Sequence, residues 1–147
     1  MRSGNSIGEG CRNSAFFLEM AKFRNVNQCD YKEIQAWINA DPGHADKMTA
    51  DFFLEPGRFH SVFAIGDEEG TVCYAREEAE GNKIRMHLQF GVDKRRVMHT
   101  FREAYRMISE DAKQRGFTEI AFESQSPALV KFMMQEFHFT AECTAVL

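Results

Sequence analysis

Hydrophobic and polar residues alternate along Lys83 to Val92, and the pattern then changes to a helical spacing. The apolar positions of the alternating run are Ile84, Met86, Leu88 and Phe90. Along Lys94 to Arg115 the apolar positions that recur at helical spacing are Val97, Phe101, Ala104, Ile108 and Ala112. A further apolar run, Phe117 to Ser124, follows. Because alternation predicts a strand and the wider spacing predicts a helix, this stretch predicts a β-α-β unit with parallel strands.

The end of the first of these strands is where a ligand site is expected. Parallel strands leave a crevice at their carboxyl ends, and ligands commonly bind there. The segment from Gly91 to Thr100 lies at this crevice. Candidate binding and catalytic residues are therefore sought in this segment and on the strands that flank it.

The rest of the chain predicts further strands and helices around this unit. Strands are predicted at Ala21–Val26, Phe59–Asp67, Thr71–Arg76 and Thr140–Leu147. Helices are predicted at Tyr31–Ala40, more weakly at His44–Glu55, and at Ala128–Phe137. A charged turn is predicted at Glu77–Asn82. The expected helix caps are Asp93 and Ser126 at N-termini and Gly116 after the long helix.

Composition and charge exclude several classes of protein. The chain has 147 residues, of which 44% are hydrophobic, and this predicts one folded domain. Its formal net charge of -4 argues against a nucleic-acid binder. Its four cysteines form no C-x-x-C pair, so we expect reduced thiols, no resident metal and a cytoplasmic protein. No apolar run approaches the roughly 18 residues of a membrane span.

Residues 1–19 are expected to be a flexible leader or extension, with residues 20–147 as the domain. Met20 is either the true initiator or part of an ordinary N-terminus.

Three local patterns carry a resemblance to a known family. They are the strand ending in LQFGV, the helix ending in QRGF, and the segment SPALVKFMMQEFHF. Together with the element order, these patterns resemble the GNAT superfamily of acyl-CoA N-acyltransferases over Ala21 to Leu147. The resemblance implies an α/β fold of the α+β kind, with a mixed, mostly antiparallel central sheet and helices on both faces. It also implies an enzyme that transfers an acetyl group from acetyl-CoA to an amine on a small molecule or peptide.

The same resemblance implies where acetyl-CoA would bind. The pantetheine and thioester would lie against the backbone of Phe90 and Val92, and the pyrophosphate would meet Arg95, Arg96 and Thr100 at the helix N-terminus. This chain lacks the family's phosphate-loop glycines. In one alignment their positions fall on Arg96 and Met98, and in another on His99 and Phe101. Guanidinium groups would then hold the phosphates in place of a glycine cradle, or the basic residues form only a solvated first turn.

Proton transfer also departs from the family pattern. Many members carry a tyrosine in the last helix that protonates the leaving thiolate, whereas Phe132, Met133 and Met134 stand in that register here. Of the three tyrosines, Tyr74 is the one placed near the crevice. His87 and Glu123 are the candidate bases for the acceptor ammonium. Each has an alternative interpretation, as an exposed sheet histidine and a solvated strand residue.

Two other functions stay open at this level. The missing glycines and tyrosine favour a GNAT-fold protein that binds or assembles without catalysis, conceivably of phage or mobile-element origin. A role with RNA or DNA through Lys94, Arg95 and Arg96 is opposed by the acidic charge. An exposed C-terminal sheet edge suggests a possible homodimer.

Overall fold

One six-stranded sheet organises the part of the chain that the computed structural model describes, which is residues 21–124, 127–140 and 143–147. Its strands are β1 (Lys22–Arg24), β2 (His60–Asp67), β3 (Gly70–Glu80), β4 (Lys83–Phe90), β5 (Glu119–Phe122) and β6 (Thr144–Val146). The helices are α1 (Tyr31–Asn39), α2 (Lys94–Gln114) and α3 (Pro127–Phe137), with short 3₁₀ helices at Gln28–Asp30 and Ala50–Phe53. The predictions for residues 1–20 and for Ser126 lie outside the described residues.

The strands stand in the sheet in the same order as in the chain. Every neighbouring pair is antiparallel except β4 and β5, which are parallel and joined through α2. The predicted β-α-β unit is therefore confirmed. The predicted fold class, a mixed and mostly antiparallel sheet with helices, is confirmed as well.

Two buried clusters lie on opposite faces of this sheet. The apolar face of β4 belongs to the larger cluster, which also contains the buried residues of α2 and Met133 of α3. The smaller cluster packs Ile34 and Ile38 of α1 with Phe53 and with Tyr74 of β3. Helices thus cover both faces, and the polar face of β4 is turned toward α1.

The two ends of α2 follow the predicted caps. The side chain of Asp93 accepts a hydrogen bond from the backbone N–H of Arg96 at 3.2 Å, which satisfies one of the free donors of the first turn. Gly116 follows the last turn with a φ of 94°, a left-handed conformation that glycine adopts without a Cβ clash.

Two predictions between α1 and β4 are wrong. His44–Glu55 is not an α-helix but a series of turns and the 3₁₀ helix at Ala50–Phe53. Pro42 and Gly43 precede it, and Asp46 has a φ of 67°, which an α-helix does not accommodate. The charged turn was predicted too long, because Glu77–Glu80 continue β3 and pair with Lys83–Met86 of β4. Gly81, with a φ of 62°, and Asn82 suffice for the reversal.

A search for membrane-spanning helices among the described residues found none with the length and apolar character that such a span requires.

Candidate functional site

The site is built where the ladder between β4 and β5 ends. The last pair of that ladder is Met86 with Phe122, whereas β4 continues to Phe90 and stays paired with β3 as far as Cys73. Among the described residues, the second half of β4 thus has a strand on one side only. Backbone groups on its other side are available to an extended ligand, as at a sheet edge that accepts a further strand.

The direction of these backbone groups follows from one hydrogen bond. The N–H of Gly91 donates to the carbonyl of Val72 at 2.8 Å, toward β3. Backbone groups of alternate residues point to the same edge of a strand, so those of Leu88 and Phe90 point away from β3. The exposed edge of β4 therefore presents the peptide groups of Leu88 and Phe90, and the carbonyl of Phe90 already accepts from the Gln89 side chain at 3.0 Å.

His87 is the first residue of β4 beyond the ladder, and it lies between two carboxylates. Its Nε2 is 3.1 Å from Oε1 of Glu78, and its Nδ1 is 4.0 Å from Oε1 of Glu123, which follows β5. The His87 side chain is 13% exposed and that of Glu123 67%. The two residues that the sequence proposes as bases therefore lie together at the mouth of the opening, and their catalytic role stays a prediction.

Neighbouring side chains hold the His87 ring in place. The edge of the ring contacts Phe52, with centroids 5.1 Å apart and planes at 90°. Glu78 also pairs with Arg76 at 2.8 Å. Burial alone would raise the pKa of Glu78, but hydrogen bonds from Arg76 and His87 outweigh it and lower that pKa. Glu78 is therefore a carboxylate at neutral pH, and the nitrogen of His87 that faces it carries the proton.

The predicted phosphate residues at the start of α2 have different surroundings. Arg95 is exposed. Arg96 donates to both carboxylate oxygens of Asp67, at 2.7 and 2.6 Å, and to the carbonyl of Gly70 at 2.8 Å. Thr100 is buried and its hydroxyl lies 3.4 Å from the same Asp67 carboxylate. Arg96 and Thr100 thus join α2 to the β2–β3 turn, and only Arg95 has a guanidinium turned to solvent.

The anion position at the α2 N-terminus is also occupied from within the chain. A phosphate would accept hydrogen bonds from first-turn N–H groups, but the Asp93 carboxylate already accepts from one of them. At the strand end before it, Val92 is 75% exposed, and Gly91 lies against α1. A Cβ built on Gly91 would stand 3.0 Å from the Trp37 ring, so any larger residue here requires the ring of α1 to shift by a few tenths of an ångström.

Tyr74 lies beneath α1 rather than at the mouth. Its hydroxyl donates to Oε1 of Glu33 at 2.7 Å and lies 3.2 Å from Asp30. Burial, and then the Glu33 carboxylate, raise the pKa of Tyr74 well above the ordinary phenol value. These contacts tie β3 to α1, and a role for Tyr74 in proton delivery stays a prediction.

His44 contacts the half of β4 that extends past the end of the ladder, and no sequence motif singles it out. Its Nδ1 is 2.6 Å from Oε1 of Gln89, the residue that follows Leu88 on β4. The same nitrogen is 3.4 Å from Oδ2 of Asp41. His44 begins a series of turns that the sequence pattern predicts as a weak helix, and its one distinguishing signal is its position after the breaker Asp41-Pro42-Gly43.

Solved structures of similar fold include several N-acetyltransferases. The ribosomal-protein-S18-alanine N-acetyltransferase of Escherichia coli superposes with a TM-score of 0.60 at 14% identity, over 82% of this chain and 78% of that chain. A GCN5-related N-acetyltransferase from Kribbella flavida superposes with a TM-score of 0.57 at 14% identity, over 80% of this chain and 81% of that chain. The GNAT domain of PAT from S. lividans superposes with a TM-score of 0.56 at 13% identity, over 86% of this chain and 90% of that chain.

Sequence comparison adds nothing to this structural likeness. No protein-family sequence model matches the chain, and no curated protein sequence matches it. At identities this low, the likeness concerns the path of the backbone and not the activity. The strand order, the α2 crossover and the superpositions agree: this chain has the fold of the GNAT superfamily.

Proposed function

We propose that this chain is an N-acyltransferase that moves an acetyl group from acetyl-CoA to the amine of a small molecule or peptide, in the cytoplasm. The observation that carries the proposal is the end of the β4–β5 ladder at Met86 and Phe122, with His87 as the next residue of β4. An extended thioester would hydrogen-bond to the free edge of β4 at Leu88 and Phe90, and the acceptor amine would meet His87 at the mouth.

Two carboxylates, Glu78 and Glu123, flank His87 at the mouth, and Arg85 lies 3.8 Å from Glu123. Glu123 is largely exposed and lies 4.0 Å from Nδ1 of His87. Its carboxylate would attract the ammonium group, and His87 would accept a proton from it through Nδ1, the ring nitrogen that faces away from Glu78. The amine must be neutral before its nitrogen attacks the thioester carbonyl.

Binding of the pyrophosphate would differ from a glycine-loop cradle. Arg96 and Thr100 are held by Asp67, so Arg95 and the remaining N–H groups of the first turn are left to meet the phosphates. Phosphate would also approach the Asp93 carboxylate, which opposes it electrostatically. We therefore expect acetyl-CoA to bind more weakly than a site with a free helix N-terminus would allow.

A calorimetric titration with acetyl-CoA tests the proposal. We expect saturable binding below about 1 mM, with a rise in the melting temperature at saturation, because a ligand of the native state stabilises it. Arg95→Ala should weaken binding by about tenfold or more, the loss of roughly one charge-assisted hydrogen bond. Lys113→Ala, which removes an exposed cation from the opposite end of α2, serves as the matched control and should leave affinity unchanged.

A second candidate, a GNAT-fold protein that binds a partner without catalysis, is favoured by the same two contacts. Asp93 caps α2 and Asp67 holds Arg96, so the chain itself satisfies groups that a diphosphate would use. The titration separates the two. Absence of heat and of any melting shift at millimolar acetyl-CoA would overturn the acyltransferase proposal in favour of this one.

A further inference from the structure

His44 is held in one orientation by groups from two different elements. Its Nδ1 is 2.6 Å from Oε1 of Gln89 on β4 and 3.4 Å from Oδ2 of Asp41, which follows α1. The His44 side chain is 20% exposed, so one edge of the ring is buried against these partners and another reaches solvent. Asp41 is the charged group that contacts the ring among the described residues.

The position of the proton on His44 follows from the surroundings of Gln89. The amide nitrogen of Gln89 faces three oxygen acceptors, the carbonyl of Phe90 at 3.0 Å, Oδ2 of Asp41 at 3.3 Å and the carbonyl of Trp37 at 3.4 Å. Since all three are acceptors, the NH₂ group must point to them and the amide oxygen must point to His44. That oxygen only accepts, so Nδ1 of His44 carries the hydrogen.

The lone pair of neutral His44 therefore lies on Nε2. Within residues 21–124, 127–140 and 143–147, Nε2 of His44 has no hydrogen-bond partner. The Asp41 carboxylate lies 3.4 Å from Nδ1, on the side of the ring opposite to Nε2. A fixed tautomer, an anion behind the ring and a free Nε2 are the properties of a histidine that exchanges protons with a substrate.

We propose that His44 is the proton shuttle of this site, taking a proton from the attacking amine and returning it to the leaving thiolate. The inference rests on the proposed acyltransferase function. His44 meets β4 at Gln89, two residues beyond His87, which along a strand is a distance of about 7 Å. Both imidazoles therefore contact the half of β4 that extends past the end of the β4–β5 ladder at Met86.

The proton balance gives the two histidines different tasks. His87 takes the first proton from the ammonium, and the neutral amine nitrogen forms a bond to the thioester carbon. Nε2 of His44 takes the second proton from the now positive nitrogen. The carbon–sulfur bond breaks, its electron pair goes to sulfur, and Nε2 gives its proton to the thiolate. The products are an amide, a free thiol and one proton that His87 releases to water, so His44 supplies the acid that α3 lacks.

Nitrogen-15 NMR of the histidine rings tests the tautomer without any substrate. We expect neutral His44 to carry its hydrogen on Nδ1, opposite to the Nε2-protonated form that neutral histidine favours in water. Gln89→Leu should remove that preference. A wild-type His44 protonated on Nε2 would overturn the inference, because Nε2 would then have no lone pair to accept a proton.

Kinetics of the full chain test the shuttle itself. His44→Ala should lower kcat about 100-fold, within the range of general acid–base catalysis, with little change in acetyl-CoA affinity, and added imidazole should restore part of the rate. His44→Asn keeps a donor toward Gln89 and should fold normally while showing the same loss. His60→Ala is the matched control, since His60 also bonds through one ring nitrogen to an oxygen of the chain, the backbone carbonyl of Glu55.

The outcomes separate the inference from the function on which it rests. If both His44 variants turn over at the wild-type rate, the shuttle is overturned and the acyltransferase proposal is unaffected. An absence of wild-type turnover with an amine panel, together with an absence of acetyl-CoA binding, would overturn the function and the shuttle with it. Loss of turnover in both variants, with imidazole rescue of His44→Ala alone, is the supporting result.

Discussion

Asp67 shows how one carboxylate determines what the start of α2 is able to bind. It accepts two hydrogen bonds from the Arg96 guanidinium and one from the backbone N–H of Glu69. The Arg96 hydrogen bond is the main cause that lowers the pKa of Asp67, against the opposing effect of burial. The side chains of the pair are 24% and 22% exposed, so solvent screens their interaction only partly. Arg96 is thereby committed to the fold.

Asp67→Asn should lower the free energy of unfolding by about 1–3 kcal/mol at pH 7, the range for hydrogen bonds to charged groups. Because the folded-state pKa is depressed, this stabilisation is complete above the carboxyl pKa of the unfolded chain, about 4. It is lost as the pH falls through the folded value. Urea unfolding at pH 7 and pH 3 measures both. Asp51→Asn is the control, an exposed aspartate with an expected effect within about 0.5 kcal/mol.

The element α2 is fixed at both of its ends. Its first turn is held by Asp93 and by the Arg96–Asp67 pair. After its last turn, Arg115 pairs with the buried Glu77 of β3 at 2.9 Å and with Asp111 at 2.9 Å. Glycines stand on either side of the helix, Gly91 before it and Gly116 after it, and an alanine is disfavoured at each for a different reason. They allow a matched test of which end matters for the site.

Gly91→Ala should impair the site, whereas Gly116→Ala should only destabilise the fold. At Gly91 the added Cβ would stand 3.0 Å from the Trp37 ring and 3.2 Å from the carbonyl of Val72. The ring must then move, at a cost of about 1–3 kcal/mol. At Gly116 nothing lies within 4 Å, but the φ of 94° strains an alanine, by roughly 1–2 kcal/mol.

Thermal unfolding with and without acetyl-CoA compares these two variants. We expect both to melt at a lower temperature than the wild type, and only Gly91→Ala to lose the shift produced by the ligand. Equal ligand shifts in the two variants would mean that the packing of α1 on the end of β4 is irrelevant to binding.

At the scale of the whole molecule, carboxylates control the response to pH. Hydrogen bonds with Arg24 and Arg96 lower the pKa values of Asp30 and Asp67, despite partial burial. Glu77 behaves in the opposite way: burial raises its pKa, and Arg115 only partly offsets this. Asp30 and Asp67 therefore add stability that is lost on acidification, whereas ionised Glu77 subtracts stability as the pH rises through its folded-state value.

The free energy of unfolding of Glu77→Gln should therefore increase relative to that of the wild type as the pH rises. The glutamine stays neutral, whereas Glu77 must ionise in a buried position, so the difference in unfolding free energy should move in favour of Glu77→Gln between pH 4 and pH 7. Urea unfolding at pH 4, 5.5 and 7 follows the trend. If the wild type instead becomes more stable relative to Glu77→Gln over this interval, the ion pair with Arg115 stabilises the Glu77 carboxylate more than burial destabilises it.

The sequence predicts those parts of the molecule that depend on local pattern. The β-α-β unit, the Asp93 cap and the Gly116 terminus each follow from residues that are adjacent or a few positions apart. The meeting of His87 and Glu123 follows from the parallel strands, which bring two carboxyl ends together. At His44–Glu55 the sequence pattern predicts a helix that does not form, because Asp46 has a left-handed backbone conformation.

Pairings between distant polar residues leave no such pattern. Arg96 reads as a free cation in the sequence, and only the fold brings Asp67 to it. His44 and Gln89 are 45 positions apart, and neither lies in a motif. Their contact depends on α1 packing over the end of β4, which is a tertiary arrangement and not a local preference.

The strand order has a consequence for how the sheet assembles. The pairs β2–β3 and β3–β4 close through short reversals, whereas the segments that join β1 to β2, β4 to β5 and β5 to β6 contain α1, α2 and α3. Closing a longer loop costs more chain entropy, and non-local pairs form more slowly. The opening that carries the candidate site therefore lies beside a junction that forms after the short reversals, once α2 has docked on the sheet.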